Sequence, residues 1–137
     1  NDDKAIVDTF VLKTIRHFEA EKGADQELMP EYKNDEDKEY ASRLLRAAIT
    51  GADVYRKLME GNAKNWNMDR FAFMDILIMQ VALAEIFTFP SIPTVVTLNE
   101  YVEIAKMYST PKSGSFINGM LDTIVNQLKK EGKLAKE

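Results

Sequence analysis

The sequence predicts an all-α fold, a single-domain bundle of about six helices. Three observations predict it: apolar residues recur at three- and four-residue spacing in successive segments, glycines and prolines punctuate those segments, and no stretch alternates with period two for long. Residues 94–98 are β-rich, but they are too few and too close to Pro93 to outweigh the helical pattern that follows. The chain shows neither a solenoid-like repeat nor a low-complexity segment.

Ile6, Val7, Phe10, Val11, Ile15 and Phe18 form one helical stripe, with Asp2 or Asp3 as N-cap and Gly23 as stop. Residues 23–35 are polar and contain Pro30, which reads as a linker. Asp35 then caps a helix whose buried face is Tyr40, Leu44, Leu45, Ala48 and Ile49, interrupted at Gly51. A short helix with Val54, Tyr55, Leu58 and Met59 ends near Gly61. Met68 and Asp69 read as hydrophobic staple and N-cap of a helix reaching about Thr88. That helix is apolar on nearly every side, which places it in the middle of the bundle. Pro90 and Pro93 end it in a stiff turn, because each fixes φ and restrains its predecessor. The fifth helix starts near Thr94, buries Leu98, Tyr101, Val102, Ala105 and Tyr108, and closes at Ser109-Thr110-Pro111. Ser113 or Ser115 opens the last helix, where Phe116, Ile117, Met120, Leu121, Ile124, Val125 and Leu128 are apolar. The reading divides the chain into an N-terminal helix and linker (1–34), a helical domain (35–130) and a flexible tail (131–137), the end from Lys129 onward being mostly basic.

Composition bounds the function. The 137 residues carry 18 Lys+Arg against 22 Asp+Glu, a net charge of −4, and 45% are hydrophobic, enough for a real core. With no cysteine, a disulfide scaffold, a thiolate metal site and a cysteine nucleophile are excluded. The longest apolar run, 76–87, is interrupted by Gln80 and Glu85 and falls short of the roughly 20 residues that span a bilayer. The chain opens at Asn1 without an initiator Met or a basic-then-apolar leader, as a piece of a longer protein would. Charge is uneven: residues 1–40 hold 12 acids and 6 bases, so the remainder is mildly basic and tolerates a polyanion that the first third would repel.

Most catalytic constellations lack their parts. His17 is the only histidine, so paired-histidine metal sites and di-iron carboxylate sites cannot form within one chain. Ser113-Gly114-Ser115 is not a nucleophile elbow, and no phosphate-binding glycine pattern occurs. No cofactor and no enzyme activity are expected. The run 109–115 does suit an anion: hydroxyls, Gly114 and Lys112 stand immediately before a helix, where N–H groups and the dipole favour phosphate, RNA backbone being one source. An ordinary capped loop has the same composition. Tyr108 and Phe116 flank the run and either stack on bases or belong to the core. Asn99, Asn118 and Gly119 read as structural: the asparagines brace the last two helices, and Gly119 allows a tight crossing.

Trp66, Asp69-Arg70, Asp75, Ala82-Leu83-Ala84-Glu85-Ile86 and Pro90-Ser91-Ile92-Pro93 occur in order. They are followed by Leu98-Asn99-Glu100-Tyr101-Val102-Glu103-Ile104-Ala105-Lys106 and by Ser113-Gly114-Ser115-Phe116-Ile117-Asn118-Gly119-Met120-Leu121-Asp122. In this order and spacing the segments resemble the NusB family of transcription antitermination factors, over about residues 36–128. The resemblance implies a bacterial, cytoplasmic, all-helical and non-catalytic protein. It also implies binding of boxA-type RNA with NusE, a ribosomal small-subunit protein, inside the RNA polymerase antitermination assembly. By position it assigns Asp75 to the NusE-binding surface and Tyr108, Lys112, Ser113 and Phe116 to the RNA-binding loop. Two departures stand out. The family's basic N-terminal helix is either missing or upstream of Asn1, since residues 1–40 are acidic, and Gln80 and Lys112 stand where the family commonly has Arg and an acid. The rival expectation is a helical protein-interaction or dimerisation module that keeps the bundle without RNA binding, a homodimer included.

Overall fold

The computed structural model describes residues 35–63, 73–108, 110 and 112–137, with residues 35–38 and 108 described by their backbone. Five helices and no strand occur among them: α1 (Asp35–Thr50), α2 (Ala52–Gly61), α3 (Phe73–Thr88), α4 (Thr94–Tyr108) and α5 (Ser113–Lys130). The expected first helix, its linker and the Met68-Asp69 cap lie outside the described residues. The remaining elements follow the sequence reading, including the ends at Thr88 and the start at Thr94.

Helix α3 is the hub. It packs against all four of the others, because Leu77, Ile78, Met79, Val81, Ala82, Leu83, Ala84 and Ile86 bury every side of it. Three polar residues of this helix are buried, Asp75 in its first turn and Gln80 and Glu85 further along, and the last two tie neighbouring helices together. Gln80 donates Nε2 to the Ala48 carbonyl at 2.8 Å and accepts from Arg56 Nε at 3.1 Å, so it ties the end of α1 to α2. Glu85 accepts the Thr97 hydroxyl at 2.7 Å and the Tyr40 hydroxyl, so it joins α3 to α4 and α1. Gln80 therefore acts inside the fold.

Three expectations are corrected. Asn99 and Asn118 are exposed and brace no helix packing, because both point away from the α4–α5 seam. Gly119 has no described atom within 4 Å of the place a Cβ would take. The close approach lies instead at Gly114, whose Cβ would stand 2.8 Å from Lys106 Cγ and 3.4 Å from Val102 Cγ1. The tail, finally, does not fray. Gly132 adopts φ +72, and the Lys133 and Gly132 amides bond the Leu128 and Lys129 carbonyls at 2.8 and 3.1 Å, a Schellman turn that reverses the chain. Leu134 then packs on the core, Lys136 Nζ caps the Phe89 carbonyl at 2.8 Å, and the Glu137 main-chain oxygen receives the Thr94 amide at 2.9 Å and its hydroxyl. Burial lowers the Lys136 pKa, against the opposing attraction of Glu85.

Candidate nucleic-acid interface

Helices α3 and α4 are joined by the short turn at 90–93, so the start of α3 meets the end of α4 at the opposite end of the bundle. The chain crosses there into α5. Asp75, in the first turn of α3, is 5% exposed, and Ser113, the first residue of α5, is 1% exposed. The Ser113 hydroxyl donates to Asp75 Oδ2 at 3.0 Å. Ser113 Oγ also receives the Thr110 amide at 3.1 Å and shares a 2.7 Å hydrogen bond with the Thr110 hydroxyl, while the Ser113 amide bonds the Thr110 carbonyl at 3.0 Å. The loop before α5 is thus fastened from beneath by a carboxylate of another helix.

Lys112 occupies the N-cap position of α5 in the right-handed helical region (φ −93, ψ −5) and makes no side-chain capping bond, as expected of a side chain that accepts no hydrogen bond. Its ammonium stands exposed beside the positive end of the helix, which leaves it disposed toward an external anion. Lys106 was not singled out in the sequence, yet its stem lies over Gly114 and its ammonium, on a side chain 57% exposed, stands 3.5 Å from Glu103. An exposed pair of this kind contributes little and is readily exchanged for another anion. Its signal is visible afterwards: a lysine eight residues before the small Gly114, on the helix that α5 packs against, is a stem that only glycine accommodates.

The predicted site residues separate into two sets. Lys112 is exposed and Phe116 half-buried, both at the loop, and the side chain of Tyr108, the last residue of α4, lies outside the described residues. Asp75 and Ser113 are brought together, but inside the protein. Among the described residues, the large apolar side chains open to solvent at this end are Phe73 and Met107, 52% and 53% exposed on α3 and α4. Among the described residues no group of acids and histidines could hold a metal ion, and no helix is long and apolar enough to cross a membrane.

The NusB family profile matches residues 3–126. The transcription antitermination protein NusB of Salinibacter ruber is 35% identical over 99 residues, 72% of this chain, and that of Dictyoglomus thermophilum is 41% identical over 86 residues, 63% of this chain. The matched segments span 62% and 60% of those two relatives' own lengths. Among solved structures, T. maritima NusB superposes with a TM-score of 0.66 at 28% identity, covering 92% of this chain and 91% of its own. A complex of the antitermination factors NusB and NusE with dsRNA shares the fold, with a TM-score of 0.64 at 18% identity over 92% of this chain and 98% of the other.

Proposed function

The chain belongs to the NusB family, and from that premise we propose that it is a non-catalytic, cytoplasmic RNA-binding factor of transcription antitermination. It binds boxA-type RNA together with the ribosomal small-subunit protein NusE, within the RNA polymerase antitermination assembly. The observation that supports this reading best is the loop before α5: Lys112 is exposed at a helix N-terminus, and the loop that carries it is held by the buried Asp75–Ser113 bond. In this reading Lys112 meets phosphate, Phe116 and Tyr108 offer aromatic faces to bases, and Ser113 shapes the loop. The partner protein meets the end of α3 that holds Asp75, through its exposed neighbours Phe73 and Met107.

The test is a titration of labelled boxA-like RNA with the chain, alone and with NusE, at low and moderate salt. Binding that weakens steeply with salt and strengthens with NusE is the expected result. Absence of RNA binding under every condition, with salt-insensitive self-association, would instead favour the protein-interaction module.

A further inference from the structure

Helix α5 begins without a side-chain cap from Lys112. The N-cap position is normally held by a short acceptor side chain that bonds the first free amides and fixes how the chain enters the helix. Lys112 has no acceptor to offer, and no side-chain capping bond forms there. The entry of the chain into α5 is nevertheless tied down by four hydrogen bonds that meet at Ser113.

The direction of those bonds follows from Asp75. The Ser113 hydroxyl donates its proton to Asp75 Oδ2 at 3.0 Å. The lone pairs of Ser113 Oγ are then turned toward Thr110, where they receive its amide and its hydroxyl proton. Asp75 is nine-tenths buried and 38 positions away in the chain, so a tertiary bond anchors the local Thr110–Ser113 pair at the entry to α5. We propose that Asp75 is a positioning residue for the RNA-binding loop: acting through Ser113 and Thr110, its carboxylate fixes how Thr110 and Ser113 are held together and with it the placement of Lys112 toward phosphate. The inference rests on the RNA-binding reading of that loop, and it gives Asp75 a part distinct from touching the partner protein.

The proposal predicts a sign opposite to simple electrostatics. Removing a negative charge next to an RNA site raises affinity if charge alone matters. If Asp75 positions the loop, its removal lowers affinity. The experiment measures boxA-like RNA affinity and amide hydrogen exchange at Thr110 for the whole chain and for Asp75→Ala, Asp75→Asn, Ser113→Ala and the double alanine variant, with Lys112→Glu as the control for the loop. Expected are an affinity loss of about tenfold and faster Thr110 exchange in Asp75→Ala and in Ser113→Ala, with the double variant no worse than either single one. Asp75→Asn keeps an acceptor for the Ser113 hydroxyl and should stay within about threefold of wild type. The milder Ser113→Ala carries the test if Asp75→Ala fails to fold. Unchanged or increased affinity in Asp75→Ala, while Lys112→Glu weakens binding, overturns the positioning role alone. A wild type that binds no RNA, with or without NusE, overturns the reading beneath it.

Discussion

Tyr40 of α1 donates its phenolic proton to the carboxylate of Glu85 on α3, 45 residues further along, within the bundle. The same carboxylate holds the Thr97 hydroxyl of α4, so one acidic side chain fastens three helices. Replacing Tyr40 with Phe keeps the ring against Phe89, at a centroid separation of 4.9 Å, and removes only the hydroxyl. A hydrogen bond to a charged group is worth about 1.5–3 kcal/mol, and Tyr40→Phe should lower the unfolding free energy by that amount in a urea titration.

Burial, first, and then Glu85 raise the Tyr40 pKa far above its ordinary value of 10.0, and burial does the same for Tyr101. The folded state thus keeps protons that the unfolded state releases. The stabilisation is complete below the unfolded-state value of 10.0 and is lost progressively as pH rises beyond it. An alkaline titration followed by phenolate absorbance and circular dichroism should show these phenols ionising only as the helices melt. Gradual ionisation of Tyr40 and Tyr101 with the helices intact would contradict their placement.

Two glycines should respond oppositely to alanine. A Cβ at Gly51 would stand 2.6 Å from the ring of Tyr55, which is itself buried and stacked on Phe87 at 5.9 Å. Gly51→Ala should cost about 1–3 kcal/mol through overpacking. Gly119 lies inside α5 with no described atom in the way, so Gly119→Ala should gain about 0.5–1 kcal/mol of helix propensity. Thermal melts of the two variants should move in opposite directions.

Removing residues 133–137 takes away the Leu134 contact, the Lys136 cap on Phe89 and the acceptor of the Thr94 amide. Each lost hydrogen bond is worth about 1 kcal/mol, so the truncated chain should be less stable by about 2 kcal/mol or more. An unchanged denaturation midpoint would mean that the tail contributes nothing to the α3–α4 corner.

Lys112→Glu should weaken boxA-like RNA binding severalfold and reduce the salt dependence by about one counterion. Its exposed position predicts an unaltered melting temperature. Binding measured across a salt series, beside a thermal melt of the same variant, checks both halves.

The helices were legible wherever a side chain's partner is a neighbour on the same helix face, as with Tyr40, Leu44 and Ala48 or with Ile117, Leu121 and Ile124. What escaped depends on residues far apart in sequence. Gly119 and Gly114 are alike in composition, and only the course of Lys106 on α4 decides which one is crowded. The tail reads as frayed because its lysines are polar, whereas Gly132 turns it back onto carbonyl and amide groups that periodicity does not reveal. Glu85 carried a usable signal: an acid inside a helix apolar on all sides must be buried, and a buried acid needs donors. At the loop, residue types pointed to Lys112, but only the folded chain shows that Asp75 and Ser113 face each other rather than solvent.

The docked tail has an experimental use. Glu137 lies against Thr94, at the start of a 15-residue helix whose far end leads into the loop proposed to bind RNA, a separation of about 22 Å along the axis. A fluorophore attached at that position would stand within energy-transfer range of a labelled RNA while touching none of the residues proposed to receive it. A surface tether at the same point would hold the molecule with its loop facing the solution.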